Sequence, residues 1–236
     1  MSVPAVSIAF FDPEHGLHGS TRTGATLLFE GSSSNVLPQG PSVERNGDGW
    51  RAELEGSFSL VLEPLAPPLR LPGMAAHLCG VSGRVGGQAV DCLGTVGETH
   101  TPPAWEELDV LRSISAMFDS EHAFLALGRR PRGAPGHDEE QVVGWLLAGG
   151  EPLAVEDTRI STVYDGEGRQ RSASLELWLP AQDLPRRVSG TVVAGTSLSL
   201  EGLDVHVHAA VFLWHMDGRE GAGAYELWAR PEPAAA

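Results

Sequence analysis

The sequence has 236 residues, of which 31 are Asp or Glu and 16 are basic, so the formal net charge is −15. All the basic residues are arginines, and without lysine there can be no Schiff-base lysine, phosphate-loop lysine or lysine general base. The acidic balance also argues against nucleic acids and anionic membrane surfaces as partners, because both attract clustered positive charge.

Targeting and cofactor signals are also missing from the sequence. No apolar run approaches the ~20 residues needed to cross a bilayer, and the first residues lack the basic and apolar regions of a secretory signal. We therefore expect a cytoplasmic protein without a membrane span. We also find no nucleophile elbow, dinucleotide fingerprint, phosphate-binding glycine loop or zincin motif, so we expect no cofactor and no metal.

Apolar and polar residues alternate along most of the chain, which is typical of antiparallel strands with one buried face. The clearest run, residues 50–63, carries Trp50, Phe58 and Leu62 on one face and mostly polar residues on the other. Similar runs cover residues 6–11, 24–29, 78–85, 89–96, 108–118, 123–127, 142–148, 153–164, 172–179, 188–200, 203–215 and 223–230. With little helix besides one short turn, the pattern predicts an all-β fold of antiparallel barrel or sandwich units.

Proline-rich breaks at residues 64–72 and 101–103 suggest where this β structure divides. We place the boundary near residue 97, which gives an N-terminal β unit of residues 1–96 and a C-terminal β domain of residues 97–236. The last strand of the C-terminal domain is a candidate for pairing back onto the N-terminal unit.

The first polar cluster lies between two apolar runs and contains Asp12, Glu14, His15 and His18. Asp-Pro followed by Glu-His-Gly is typical of a turn between strands. Two interpretations are open: a general acid/base group at a barrel mouth, or a turn whose polar side chains satisfy backbone groups. We favour the second, because turn residues explain the composition.

A hairpin is predicted at the glycine pair 86–87. If these glycines are the two turn residues, Val81 lies opposite Cys92 and Cys79 lies opposite Gly94. The two sulfur atoms then share a face diagonally, with Cα atoms roughly 7 Å apart. That separation is at the limit of disulfide geometry, so we expect two reduced thiols packed in the core.

The segment 97–107 lies at the proposed domain junction, where ligand pockets are favoured. It combines Glu98, His100 and Trp105 with further polar residues. A carboxyl group and an imidazole at this place are suited to proton transfer, so Glu98 and His100 are the best acid/base pair in the sequence. Trp105 is a candidate for substrate binding.

Three charged residues fall on otherwise apolar strand faces. Arg112 shares a strand face with Val110 and Ile114. Asp157 and Arg159 share a strand face with the apolar residues of the run 153–164. A buried charge needs a partner, so structural ion pairs are one explanation. The other is an acid in an apolar cavity, with Asp157 as a catalytic residue and both arginines in substrate binding.

The strand at 204–215 has two different faces. Its even positions place His206 and His208 beside Phe212 and Trp214, which suits the wall of a ligand cavity. Two histidines at this spacing can also bind a metal, although a third ligand is not evident. An exposed or inter-domain surface is the remaining alternative.

The order of these segments resembles that of the hydroxyneurosporene synthase-like (carotenoid 1,2-hydratase-like) family. The resemblance covers most of the chain. It is carried by the order of short segments, which are Phe10-Phe11-Asp12, Thr23-Gly24-Ala25, the 81–87 hairpin, the strand from Arg112 to Phe118, Val143-Gly144-Trp145, Asp157-Thr158-Arg159, Tyr164-Asp165 and the closing segment 221–226. It implies two lipocalin-like (calycin) units side by side, apolar isoprenoid-like ligands, and acid-initiated hydration or cyclisation. It also implies a histidine-, aspartate- and Trp-Gly-containing motif at the domain junction, where the segment 97–105 of this chain has the histidine and the tryptophan but neither the aspartate nor the Trp-Gly step.

These observations lead to the hypothesis of a cofactor-independent acid/base enzyme, a lyase or isomerase of hydratase or terpene-cyclase type. It would act on an apolar, isoprenoid-like molecule in a β-lined cavity, with aromatic rings stabilising positive charge on the substrate. The alternative is a non-catalytic binding or carrier protein for an apolar ligand, which needs the cavity but no proton donor. The candidate residues are Glu98 and Asp157 as proton donors, His100 and His208 as acceptors, and Trp105, Trp145, Phe212, Trp214, Arg112, Arg159 and His206 as substrate-binding residues.

Overall fold

The computed structural model describes residues 4–22, 24–134, 139–200 and 204–230. The chain forms two curled antiparallel sheets, the first a half-barrel and the second a nearly closed barrel. This confirms the predicted all-β, lipocalin-like fold with little helix. A short 3-10 helix, Trp105–Glu107, lies between the two sheets, and no helix in the described part of the chain is long and apolar enough to span a membrane.

The first sheet has ten strands, in the order β4-β3-β2-β1-β10-β9-β7-β6-β5, with β8 paired to β9. Their bounds are β1 (Ala5–Asp12), β2 (Leu17–Arg22), β3 (Ala25–Glu30), β4 (Ser33–Leu37), β5 (Ser42–Asn46), β6 (Gly49–Leu54), β7 (Phe58–Pro64), β8 (Leu69–Leu71), β9 (Met74–Val85) and β10 (Gln88–Thr99). The edge strands β4 and β5 are consecutive in the chain. The short link between Leu37 and Ser42 keeps these edges within roughly 18 Å of each other, so the sheet must curl.

The second sheet has nine strands, in the order β14-β13-β12-β11-β19-β18-β17-β16-β15. Their bounds are β11 (Leu108–Met117), β12 (His122–Pro131), β13 (Gln141–Ala148), β14 (Glu151–Val155), β15 (Asp157–Tyr164), β16 (Gln170–Trp178), β17 (Arg186–Leu200), β18 (Val205–Met216) and β19 (Arg219–Ala229). Only Glu156 separates the edge strands β14 and β15. The two edges are therefore close neighbours, which is why this sheet is the more nearly closed.

Two of the predicted runs are split in the structure. Residues 50–63 form the hairpin β6–β7 around Gly56, which has a positive φ of 73°. The pattern remained regular because Leu54 and Phe58, on either side of the turn, are paired and share a face. Residues 153–164 divide into β14 and β15, and Leu203 of the predicted run 203–215 lies outside the described residues.

The hairpin at 86–87 has the predicted register. Val81 lies opposite Cys92 and Cys79 opposite Gly94, and both cysteines are free thiols. Burial raises the pKa of each thiol to about 12, so neither is a reactive thiolate near neutral pH.

Each sheet packs its inner face into its own core, while outward residues of the central strands pack between the sheets. The inner core of the first sheet includes Phe10, Trp50 and Leu60, and that of the second includes Phe124, Phe212 and Trp214. Residues of both sheets meet in a third core, which contains Ala9, Phe11, Leu69, Ala76, Leu78, Met117, Ala123, Leu125, Leu147 and Ala222. The central strands are thus buried on both faces.

The boundary placed at residue 97 remains a prediction, although β10 continues through that position to Thr99 and the second sheet begins at Leu108. The last strand, β19, pairs with β11 and β18 of its own sheet instead of extending the first. It approaches the first sheet through its side chains, and these contacts help to form the site described next.

Candidate functional site between the two sheets

A cleft of about 310 Å³ lies between the outward faces of the two sheets. This inter-sheet cleft is lined from the first sheet by β1, β2, β8, β9 and β10, and from the second by β11, β12 and β19. Many of its outward positions hold small residues, such as Ser7, Gly97, Ser113 and Ala224. Next to the cleft, larger side chains fill the space between the two sheets. The cleft is left open where small side chains of one sheet face small side chains of the other.

The cleft contains an ion pair that joins the two sheets. Arg22 on β2 donates from Nη2 to Oε1 of Glu226 on β19, over 2.6 Å. Ser20 Oγ donates to the same oxygen over 2.7 Å, and Trp228 Nε1 donates to Oε2 over 3.3 Å. The Arg22 and Glu226 side chains are only 15% and 14% exposed, so these charge-assisted hydrogen bonds are largely shielded from water.

An aromatic wall stands beside this ion pair. The Trp105 and Trp228 rings stack with centroids 5.2 Å apart and planes 15° apart. The Arg22 guanidinium lies over Trp228, 4.8 Å from the ring centroid. Trp105 is held by the short 3-10 helix, and Arg230 Nη2 donates to its backbone carbonyl over 2.6 Å. The wall offers a flat apolar surface next to a carboxylate, a combination found in many small-molecule sites.

A second arginine lies at the cleft, on β12. Arg129 follows Leu125 and Leu127 on the same outward face of the strand, and all three line the cleft. Arg129 Nη2 donates to the Pro72 carbonyl over 2.6 Å, which ties β12 to the chain after β8. Its Nε is buried without a hydrogen-bond partner among the described residues.

Glu98 and His100, the pair favoured by the sequence, lie apart from each other. Glu98 is directed toward the inner side of the first sheet, where it accepts a hydrogen bond from Arg45 Nη2 over 2.6 Å. Its other oxygen is 3.4 Å from His77 Nε2. His100 follows the end of β10 and is exposed, so the imidazole beside Glu98 is His77.

The neighbourhood of Glu98 also contains Trp50. The His77 and Trp50 rings are 4.6 Å apart, and the Arg45 guanidinium lies 4.3 Å from the Trp50 ring centroid. Burial lowers the pKa of His77, against the opposing effect of Glu98. This compact cluster lies on the opposite face of β10 from the inter-sheet cleft.

Arg112 lies inside the second sheet and is almost fully buried. Its Nε is 3.3 Å from Glu140 Oε1. Burial lowers its pKa, but Tyr225, Tyr164 and Glu140 outweigh that effect and the net shift is upward. Tyr225, which shares a 2.8 Å hydrogen bond with Thr162, has a pKa raised mainly by burial.

Three predicted aromatic residues do not line the cleft. Phe212 and Trp214 are fully buried and stack 4.9 Å apart in the core of the second sheet. Trp145 lies at the contact between the sheets and donates from Nε1 to the Arg70 carbonyl over 2.9 Å. Of the predicted substrate-binding residues, Trp105 is the one that lines this cleft.

Asp157 and Arg159 differ from the buried arrangement expected of them. Their side chains are 55% and 67% exposed, and Arg159 Nε donates to Asp157 Oδ2 over 3.2 Å. The physical reason is the parity of β15: Thr158 between them faces inward and is buried. An apolar cavity around the Asp157 carboxyl is therefore not formed.

His206 and His208 lie at one end of β18, on the same side as the inward residues Phe212 and Trp214. His206 is exposed and forms a 2.9 Å hydrogen bond with Ser199, while His208 is half-buried and forms one of 2.7 Å with Ser197. Burial lowers the pKa of His208. No group of three or more potential metal ligands is found within the described ranges.

The sequence pattern did not mark Ser20, Arg22, Arg129 or Glu226, which all line the cleft, as candidate site residues. Strand β2 has a polar sequence without clear alternation, so it was not predicted. For Glu226 a signal was present: it alternates with Ala224 and Trp228 on one face of a predicted strand. A carboxylate beside tryptophan at strand spacing could have marked this position.

Comparison with known proteins adds a fold relationship. No protein-family model and no curated protein matches the sequence. Among solved structures, the chain is similar to a candidate AttH protein from Nitrosomonas europaea, with 12% identity, a TM-score of 0.64, and coverage of 96% of this chain and 92% of that one. It is also similar to kievitone hydratase from Nectria haematococca, with 10% identity, a TM-score of 0.53, and coverage of 98% and 89%. The chain shares with these proteins the fold of two curled sheets packed side by side.

Proposed function

We propose that this protein is a cofactor-free, hydratase-type enzyme that binds a small apolar molecule in the inter-sheet cleft. The observation that carries the proposal is the shielded Arg22–Glu226 pair within a mostly apolar cleft. The fold shared with kievitone hydratase agrees with it, since that protein is described as a hydratase. The isoprenoid nature of the substrate, the cytoplasmic location and membership of the hydroxyneurosporene synthase-like family remain predictions.

The geometry favours Glu226 as a general base. Ser20, Arg22 and Trp228 all donate hydrogen bonds to it, which holds the carboxylate in a fixed orientation at the wall of the cleft. In this proposal Glu226 accepts a proton from water as the water oxygen bonds to one carbon of a double bond. It then returns a proton to the neighbouring carbon, so that one water is added and no charge is left over.

This order of steps suits a double bond polarised by a carbonyl group, because negative charge develops on the substrate before the second proton arrives. The guanidinium of Arg22 is beside Glu226 and can stabilise that charge. Acid-initiated attack, which the sequence suggested through Glu98 or Asp157, finds no support in the cleft, since neither residue lines it.

The proposal is tested by isotope incorporation. Purified protein is incubated in ¹⁸O-labelled water with a panel of apolar α,β-unsaturated ketones, and products are analysed by mass spectrometry. We expect label in at least one product, and a loss of at least about 100-fold in rate for Glu226→Gln. The matched control is Glu53→Gln, which changes an exposed carboxylate on β6 and should leave the rate unchanged.

A carrier protein is the second candidate function. It is favoured by the same three donors to Glu226, which leave the carboxylate well satisfied without any substrate. Binding of the neutral dye 1-aminoanthracene, with no labelled product from any compound and equal dye affinity for wild type and Glu226→Gln, would support the carrier instead of the enzyme.

A further inference from the structure

Arg129 is the charged residue of the cleft whose charge is not balanced. Three charged residues line the cleft: Arg22, Arg129 and Glu226. Glu226 pairs with Arg22. Among the described residues, no carboxylate lies within 4 Å of the Arg129 guanidinium. The cleft therefore carries a net charge of +1 in a protein whose net charge is −15.

The surroundings of Arg129 make this charge costly without a ligand. It is partly buried, and its Nε is shielded from water without a partner in the described part of the chain. Burying a guanidinium without an anion is unfavourable, and the cost is offset when a carboxylate supplies the missing acceptor. A planar guanidinium is also the side chain best suited to a carboxylate, because its N–H groups can bind both oxygens.

The strand geometry places an apolar surface next to this charge. Leu125 and Leu127 precede Arg129 on the same outward face of β12, and Leu71 lines the cleft from the first sheet. Trp228 of the aromatic wall is level with Arg129 across β11, because both residues pair with Leu111. A ligand that fits this surface has one charged end and an apolar body.

We propose that the ligand of the inter-sheet cleft is an apolar monocarboxylate, with its carboxylate bound by Arg129 and its apolar body against Leu127 and Leu125 of β12. This inference rests on the proposed function, since it names the chemical class of molecule that the same cleft takes. The cleft volume of about 310 Å³ is at the lower end of the range for small-molecule pockets, which agrees with a single compact ligand.

The test compares two probes that differ at the charged end, octanoate and octan-1-ol, by calorimetry and by competition with 1-aminoanthracene. We expect wild type to bind octanoate at least about tenfold more tightly than octan-1-ol. Arg129→Met should remove this preference and change octan-1-ol binding by less than about twofold, whereas Arg129→Lys should retain only part of it, because the charge remains but the planar pair of N–H donors is lost. The matched control is Arg51→Met, which removes an exposed arginine from β6.

Each outcome has a separate meaning. Equal binding of the two probes by wild type overturns the carboxylate assignment but leaves an apolar ligand in place. A preference for octanoate that survives in Arg129→Met also overturns it, because the anion is then bound elsewhere. Failure of wild type to bind the dye or either probe contradicts both this inference and the proposed function. If Arg129→Met does not fold, as judged by circular dichroism, Arg129→Gln takes its place in the comparison. The preference of wild type for octanoate over octan-1-ol is then compared with that of Arg129→Gln.

Discussion

The two sheets have the same strand order but differ in what their interiors contain. In each sheet the first strand lies beside the last, as β1 beside β10 and β11 beside β19, and the fourth and fifth strands form the edges. The first sheet has an additional short strand, β8, and a partly exposed polar cluster around Glu98 at one end. The second is more nearly closed and buries Arg112 and Glu140 within it.

This difference shows how closure changes the energetics of a charge. In the open half-barrel, the Arg45 side chain that pairs with Glu98 is 53% exposed and keeps contact with water, although Glu98 itself is 12% exposed. In the nearly closed barrel, Arg112 and Glu140 are 5% and 7% exposed, so each depends on the other. The same strand order therefore allows an ion pair with one exposed partner at the end of the half-barrel. Inside the nearly closed barrel, a charged side chain needs a buried partner of opposite charge.

The largest expected effect comes from breaking the buried pair. Arg112→Met leaves Glu140 without its partner and should lower the free energy of unfolding by about 3–5 kcal/mol. Arg45→Met in the first sheet should cost less than Arg112→Met, because Arg45 is itself 53% exposed and His77 remains beside Glu98. Urea unfolding monitored by circular dichroism measures both. The double variant Arg112→Met/Glu140→Gln should recover most of the loss, and equal costs for the two single variants would contradict the comparison.

The pairings of the first strand with the last strand, β1 with β10 and β11 with β19, should be equally sensitive to an added Cβ atom. A Cβ at Gly223 on β19 would overlap the Ser115 carbonyl, and one at Gly94 on β10 would overlap the Ala9 carbonyl. We expect Gly223→Ala and Gly94→Ala each to lower the free energy of unfolding by about 2–3 kcal/mol, since neither strand can move away freely. Gly166→Ala, where a Cβ meets open space, is the control and should be within about 0.5 kcal/mol of wild type. An unchanged free energy of unfolding in either variant would show that the two paired strands of that sheet can move apart to admit the Cβ atom.

Acid should destabilise the first sheet through His18. Burial lowers the pKa of His18 to about 4, whereas the pKa in the unfolded chain is about 6.5. Between these values the unfolded chain binds more protons than the folded one, so stability is lost as the pH falls through this window. From pH 7 to pH 5 the loss attributable to His18 is about 2 kcal/mol.

This prediction is measured as the difference between the unfolding free energies of wild type and His18→Gln at the two pH values. The variant should lose about 2 kcal/mol less than wild type between pH 7 and pH 5. His215→Gln, on the exposed side of β18, is the control and should keep the wild-type dependence. An unchanged pH dependence in His18→Gln would mean that the imidazole is protonated in the folded state.

The smallest effect is expected at the edge of the second sheet. Asp157 and Arg159 form an exposed pair on β15, so Arg159→Gln should change the free energy of unfolding by less than about 0.5 kcal/mol. Thermal unfolding at low and high salt measures this. A larger loss would indicate that the pair is shielded and that the nearly closed barrel extends over it.

Much of the fold could be predicted because it depends on neighbours in the chain. The register that places Val81 opposite Cys92 follows from the glycine turn between them. The alternation in residues 50–63 correctly indicated which side chains are buried, even though a hairpin interrupts the run. The same alternation placed Arg112 correctly among inward residues of its strand, since parity along a strand is a local property.

The sequence by itself therefore determined the all-β fold, most of the strands and, in runs such as 50–63, the buried face of the strand. Only the tertiary structure decided which charges meet. Arg22 and Glu226 are 204 residues apart, and Glu98 pairs with Arg45 and His77 on other strands instead of with nearby His100. The tertiary structure also decided that Asp157 faces solvent, because the curl of the sheet sets which face of the edge strand β15 points inward. Alternation distinguishes the two faces of a strand, but the packing of distant strands determines what each face contacts.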